Sequence, residues 1–126
     1  MHIYNPSKAP VPAEWLNIDE SERINLVLEF HIAEQIEFED GAQSVHAVIH
    51  VVVENQLAMK IDPVTEAIAR LTRQGLSRHD SIHAIAAVLS GGIFNLLKGN
   101  EHEFDIKQYR KRLQKLTAKR WNKGQW

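Results

Sequence analysis

Apolar residues recur every three or four positions along most of this chain, the spacing that places them on one face of an α-helix. The first such stretch predicts a helix over residues 18–38, which ends at Asp40-Gly41. His31 takes the next position on its apolar face, and Glu34 lies one turn further along the same face. The pattern therefore directs a histidine and a carboxylate toward the core.

A second stretch, over residues 44–59, is apolar or histidine at almost every position between Val45 and Val53, and Ser44 is its predicted N-cap. Its β-branched run also suits a strand, and a period of two would likewise place His46 and His50 on one face. A helix is favoured because residues 54–59 would make a poor strand ending. We therefore predict that this stretch is the central, buried helix.

Three more helices are predicted after it. The first begins at Asp62-Pro63 and stops at Gly75. The second begins after the cap Ser77 and ends at Gly99, and Gly91-Gly92 should weaken or bend it locally. The third covers about residues 105–121. Residues 1–16 contain three prolines, which favour an extended segment. The sequence thus predicts an all-α, single-domain helical bundle of about five helices, preceded by an extended N-terminal lead-in.

A short pattern occurs twice, because residues 44–50 and 77–83 both read Ser-x-His-x-x-x-His. Residues four apart lie on one face of a helix, so each copy presents a pair of imidazoles, and Glu54 extends the first pair by one turn. Neutral imidazole is the commonest metal ligand in proteins. The chain has no cysteine, so any ligands are nitrogen and oxygen atoms, which suit Zn, Fe, Mn or Ni.

Helix packing suggests how the two copies meet. One helix separates them, and short connections make neighbouring helices antiparallel, so the two histidine helices should run parallel. His46 would then face His79, and His50 would face His83, at the depth of His31. The partial positive charge of the helix starts should keep His46 and His79 neutral. The predicted metal ligands are His46, His50, Glu54, His79 and His83, with His31 and Glu34 as additional ligands or supporting groups.

Three interpretations of this cluster stay open. Burying so many imidazoles without strong partners would be costly, which favours a metal site, but a structural His–Glu hydrogen-bond network and a proton-sensing cluster are the alternatives. A metal site could hold one six-coordinate ion or two ions bridged by Glu54 or Glu34. In an enzyme, a metal-bound water or O₂ species would perform hydrolase or oxidoreductase chemistry, with Glu34 or Glu54 as base. The competing class is a non-enzymatic interaction module.

Length and composition indicate the class of protein to which these predictions apply. A chain of 126 residues with 44% hydrophobic and 25% charged residues is typical of one globular domain. No apolar run approaches about 18 residues, and residues 1–15 lack the apolar core of a signal peptide. We therefore predict a cytoplasmic protein that has no membrane partner, and the oligomeric state stays open.

Charge is distributed very unevenly around a net value of −1. Residues 106–126 contain eight basic and no acidic residues, whereas the remaining chain contains seven basic and 16 acidic residues, a net charge of −9. We predict a core domain over residues 1–99 and a basic C-terminal helix over residues 100–126 that packs on it. The basic segment could clamp onto the acidic body or bind nucleic acid together with Trp121 and Trp126. Its main cations are Lys107, Arg110, Lys111, Lys115, Lys119 and Arg120.

Several stretches resemble a bacterial family catalogued as domain of unknown function 1841. The resemblance lies in Tyr4-Asn5-Pro6, in Trp15-Leu16, in residues 22–24 leading to His31, and in the two histidine stretches over residues 46–58 and 75–85. It extends over roughly residues 4–97 and excludes the basic segment. The resemblance implies a small bacterial cytoplasmic protein with a domain boundary before the basic segment, and it implies no activity.

Overall fold

A computed structural model describes residues 3–34, 42–99 and 103–126. Within these ranges the chain forms helices and no strand, which confirms the all-α prediction. The predicted number of about five helices is wrong, because the described ranges contain seven. They are α1 (Pro12–Leu16), α2 (Glu20–Ala33), α3 (Ala42–Ala58), α4 (Asp62–Arg73), α5 (Arg78–Leu97), α6 (Ile106–Lys115) and α7 (Ala118–Asn122).

One unpredicted helix lies in the lead-in. Pro12 begins α1, where proline is tolerated because the first helical N–H groups have no partner within the helix. The helix buries Trp15, whose indole N–H donates to the side-chain oxygen of Asn55 on α3 at 2.9 Å. Tyr4 is also buried. The lead-in is therefore packed against α3 rather than simply extended.

Three predicted helix boundaries also change. Helix α2 ends at Ala33, with Glu34 as its exposed C-cap, and the predicted continuation through Phe38 to Asp40-Gly41 lies outside the described residues. Helix α3 begins at Ala42, so Ser44 lies inside it and is not the predicted N-cap. The cap at Ser77 is confirmed, because its hydroxyl accepts the backbone N–H of Asp80 at 3.0 Å.

The core consists of two apolar clusters that share α3. Val53 of α3 packs in the first cluster with residues of α4, α5 and α6, among them Leu71, Ile82 and Leu113. Ala47 and Val51 of α3 belong to the second cluster, in which Tyr4, Trp15, Leu26 and Val27 come from the lead-in, α1 and α2. The prediction that residues 44–59 form the central helix is consistent with this arrangement.

The C-terminal segment is two helices and not the single predicted one. The backbone of Leu116 is extended, with ψ of 123°, and the hydroxyl of Thr117 caps α7 by accepting the backbone N–H of Arg120 at 3.1 Å. Tyr109 and Leu113 are buried in the first cluster, and Arg70 of α4 donates to the carbonyl of Leu116 at 3.1 Å. The segment therefore packs on the core through α4 and α5.

Among the described helices, α5 is long and apolar enough to cross a membrane on length and composition alone. A core helix of a globular protein meets the same criteria, and Ile82, Ile85 and Leu89 of α5 are buried inside the bundle. The finding is therefore weak support for a membrane span. A cytoplasmic location stays a prediction.

The glycine pair in α5 lets the C-terminal segment approach the helix. A Cβ atom at Gly92 would lie 2.6 Å from the ring of Phe104, whereas one at Gly91 would lie 3.3 Å from the flexible end of Arg112. Gly92→Ala should therefore destabilise the fold by about 1–3 kcal/mol through overpacking. Gly91→Ala should be neutral or stabilising by up to about 1 kcal/mol, because alanine favours helix. Thermal unfolding of both variants checks this, and equal melting temperatures would contradict it.

Candidate metal centre

Four histidines from three helices converge between the two apolar clusters. His31 of α2, His50 of α3, and His79 and His83 of α5 each place a ring nitrogen within 4.8 Å of those of the other three. His31 and His50 are buried, and His79 and His83 are partly buried. The i,i+4 spacing predicted the second pair as a unit, and the ring centroids of His79 and His83 are 4.2 Å apart.

His46 lies at the edge of this group. Its Nε2 atom is 3.1 Å from Nε2 of His31, and its ring centroid is 4.8 Å from that of His83. His46 is partly exposed and is not one of the four residues whose ring nitrogens converge within 4.8 Å. Five of the predicted imidazoles are therefore neighbours, and His46 is on the side nearest to solvent.

The predicted pairing between the two histidine helices is met only in part. The ring centroids of His50 and His83 are 5.5 Å apart, as predicted neighbours should be, but those of His50 and His79 are equally close. His46 approaches His83, and Glu54, two turns further along α3, contacts Arg78 at the start of α5. Contacts therefore run in opposite directions along α3 and α5, whereas parallel helices would have paired His46 with His79. The prediction of parallel helices assumed that the chain turns back completely both before and after α4. The contacts of His46 with His83 and of Glu54 with Arg78 do not agree with that assumption.

Backbone hydrogen bonding orients His31. Its Nδ1 atom is 2.8 Å from the carbonyl oxygen of Val27, one turn earlier in α2. A carbonyl only accepts, so Nδ1 carries the proton and, in the neutral ring, Nε2 carries the lone pair. This is the arrangement in which a histidine presents Nε2 to a metal ion while its other nitrogen is held by the protein.

A relay of hydrogen bonds orients His50. The Tyr4 hydroxyl donates to the Glu54 carboxylate, and its oxygen lies 2.7 Å from Nε2 of His50. Since the single hydroxyl proton of Tyr4 goes to Glu54, His50 donates its Nε2 proton to Tyr4. Burial and the neighbouring Glu54 raise the pKa of Tyr4, which keeps the phenol protonated. The lone pair of His50 is therefore on Nδ1.

The two predicted carboxylates lie outside the four-histidine group. Glu54 is buried, and its two oxygens accept from Arg78 at 2.7 and 2.8 Å, so it is one half of a buried ion pair behind Tyr4. Glu34 is exposed at the end of α2. The sequence pattern placed Glu54 on the face of His50 but did not identify Arg78 as its partner. It also gave Tyr4 no role in the site.

Burial favours the neutral imidazole at His46, His50, His79 and His83. Burial and neighbouring histidines lower the pKa of His50 to about 2, that of His83 to about 3 and that of His46 to about 4, and burial also lowers the pKa of His79. The predicted neutral state of His46 and His79 agrees with this, but the main cause is burial and not the helix start. Only the neutral ring can bind a metal ion.

Three buried ring nitrogens in the described part of the chain have no hydrogen-bond partner. They are Nδ1 of His50 and Nε2 of both His79 and His83. Leaving buried polar atoms unpaired costs about 1–3 kcal/mol each, so such atoms require an explanation. A metal ion would supply one, because each of these neutral rings can direct a lone pair toward a common centre.

The dimensions of the group fit one ion. Nitrogens bound at about 2.1 Å are about 3.4 Å apart in a tetrahedral site and about 4.2 Å apart across an octahedral site. For a tetrahedral ion the observed separations of up to 4.8 Å would need to shorten by up to about 1.4 Å. The four histidines are therefore close enough together that they could hold a single metal ion.

Comparison of the chain with protein-family models, curated proteins and solved structures finds no match. The resemblance to the bacterial family therefore stays a prediction. The interpretation of the site depends on its own geometry.

The lowered pKa values predict how the metal-free protein responds to acid. Unfolded histidine takes up a proton near pH 6.5, whereas folded His46, His50 and His83 stay neutral to about pH 4, 2 and 3. The unfolded state then binds more protons, so stability falls as the pH drops from 6.5 toward 4, by up to about 1.4 kcal/mol per pH unit and group.

Thermal unfolding of chelator-treated protein at pH 7 and pH 5 measures this effect. His83→Gln, which lacks one of these imidazoles, should lose less stability over the same interval than the parent. A melting temperature that is the same at both pH values would contradict the neutral, buried state of the histidines.

Proposed function

We propose that this chain binds one divalent transition-metal ion through His31, His50, His79 and His83. The observation that carries the proposal is the convergence of their four ring nitrogens within 4.8 Å. The ligand set is four imidazoles without a thiolate, which suits Zn, Fe, Mn or Ni. A single ion is favoured because Glu54 and Glu34, the predicted bridging carboxylates, lie outside the group.

The hydrogen bonds favour a metal site over a structural His–Glu network. Such a network would give each buried imidazole a protein partner on both nitrogens. In the described part of the chain, His50 is linked to a carboxylate only indirectly, through Tyr4, and the Nε2 atoms of His79 and His83 have no partner there. The relay from Glu54 through Tyr4 instead resembles the supporting hydrogen bonds that orient metal-binding histidines.

Coordination number determines what chemistry the site could support. Four protein ligands saturate a tetrahedral ion, as in structural zinc sites, whereas a five- or six-coordinate ion keeps a position for water or substrate. A bound ion with an open position supplies the Lewis acidity for the hydrolase or oxidoreductase chemistry that the sequence suggested. His46, next to His31 and partly exposed, is placed to take a fifth position. Glu54 is a poor base because Arg78 and Tyr4 hold its oxygens.

Elemental analysis of the untagged protein, purified without chelator, tests the proposal. The parent should contain about one transition-metal ion per chain. His83→Asn, which keeps a polar side chain but removes the imidazole, should lose most of the metal. Glu34→Gln is the matched control, because this exposed carboxylate should leave the metal content unchanged.

Circular dichroism confirms that each variant is folded before its metal content is compared. If His83→Asn does not fold, His79→Asn takes its place, since both residues contribute to the same group. A parent protein that contains no metal and takes up none of Zn, Fe, Mn or Ni would disprove the proposal.

Removal of the Tyr4 hydroxyl tests the relay. Tyr4→Phe deletes the acceptor of the His50 Nε2 proton, so His50 loses the bond that fixes its orientation. Loss of such a supporting contact typically costs about 10–100-fold in metal affinity. Competition with a chromogenic chelator measures this change.

Tyr109→Phe is the control for this experiment. Tyr109 is also buried, but its hydroxyl donates to Gln56 at 2.8 Å, outside the histidine group. Tyr109→Phe should leave the metal affinity unchanged, although it should lower the stability of the fold about as much as Tyr4→Phe does. Equal affinities of the two variants would contradict a role for Tyr4 in orienting His50.

A further inference from the structure

Helix α6 presents a row of cations to solvent, which we call the basic stripe. It consists of Lys107, Arg110, Lys111 and Lys115, whose spacing places them on one face of the helix, and all four are exposed. The opposite face carries Tyr109, which is buried in the first apolar cluster. The packing of α6 on the core therefore fixes the direction in which these charges point.

The cations of this segment have no acidic partner in the described ranges. None of the eight basic residues between 107 and 123 forms an ion pair there, and the ion pair that is observed joins Arg78 to Glu54. The predicted electrostatic clamp between this segment and the acidic body would require such pairs. At physiological salt, charges further away than about 8 Å are largely screened. No direct ion pair with a described residue therefore neutralises the cations of the basic stripe, although the whole chain has a net charge of −1.

More exposed cations follow α6 along the chain. Lys119 and Arg120 of α7 are exposed, and they lie beside an aromatic pair formed by Trp121 and Trp126, whose ring centroids are 4.5 Å apart. Trp126 is 52% exposed. Exposed aromatic rings beside cations are the combination on which unpaired bases stack.

We propose that the basic stripe binds the phosphate backbone of nucleic acid, with the exposed ring of Trp126 as a surface on which a base can stack. From Lys107 to Lys115 the stripe is about 12 Å long, since each helical residue rises about 1.5 Å. At about 3.4 Å per nucleotide this length spans about four phosphates of one strand. The proposal goes beyond metal binding and does not depend on it.

A nucleic acid fits this surface better than an anionic membrane does. A helix that lies in a membrane interface inserts an apolar face between lipids. The apolar face of α6 is instead used against the core, through Tyr109 and Leu113, and only Ile106 at its start is largely exposed. What remains available on α6 itself is charge with little apolar surface, which matches a solvated phosphate backbone.

Fluorescence anisotropy with the full chain and labelled 20-nucleotide DNA, both single-stranded and duplex, tests the proposal. Binding should be detectable at 50 mM salt. Four phosphate contacts give a slope of log affinity against log salt of about −3.6 on duplex, so affinity should fall about 100-fold between 50 and 200 mM salt.

Lys107→Glu/Lys111→Glu should weaken binding at least 10-fold. Loss of two phosphate contacts should also make the slope of log affinity against log salt shallower by about 1.8. Lys8→Glu/Lys60→Glu is the matched control, because it changes the net charge equally at exposed lysines outside the basic segment. The control should bind like the parent. Circular dichroism verifies the fold, and Lys107→Gln/Lys111→Gln replaces the first variant if the reversal of charge prevents folding.

Three results would overturn the proposal. One is the absence of binding to either DNA at 50 mM salt, and another is equal affinity of the stripe variant and the matched control. The third is binding to phosphatidylserine vesicles without binding to DNA, which would identify a membrane partner instead. Binding that depends on the stripe and on salt as described would support it.

Discussion

The buried ion pair between Arg78 and Glu54 determines how the histidine helices meet. Arg78 contacts both Glu54 oxygens and also donates to the carbonyl of Pro6 at 3.0 Å, so it joins α5, α3 and the lead-in. A buried ion pair is favourable only when its remaining hydrogen-bonding capacity is satisfied, and Tyr4 contributes to this. His79 follows Arg78 directly, and His50 precedes Glu54 by one turn. The ion pair therefore also sets the register of the imidazoles.

Sequence spacing identified the imidazoles of the site but not their mutual arrangement. Two residues four apart must share a helix face, so the pairs in α3 and α5 could be predicted without knowing the fold. Helix direction depends on how α4 crosses its neighbours, and that is decided by packing across the whole bundle. Glu54 was predicted as a metal ligand because it lies one turn from His50 on the same face of α3. Its actual partner comes from α5, which no local pattern relates to Glu54.

The remaining differences come from weak local signals. Pro12 signalled the start of α1, but three prolines in 16 residues suggested an extended segment throughout. Thr117 is a good cap and marks the start of α7, although the apolar spacing runs past it and suggested one continuous helix. The charge asymmetry of the C-terminal segment was plain from composition. That its cations face solvent, and not the acidic body, followed only from the burial of Tyr109 and Leu113.

The lead-in contacts the histidine group although the two are far apart in sequence. Tyr4 is 46 residues from His50 and 50 from Glu54, and Pro6 is 72 residues from Arg78. Local opening of one segment requires less free energy than unfolding of the whole chain. Detachment of the lead-in would release the Nε2 proton of His50 from Tyr4 while α3 and α5 stay paired. The tautomer of His50 thus depends on whether the lead-in is docked, and ring-nitrogen NMR would report it.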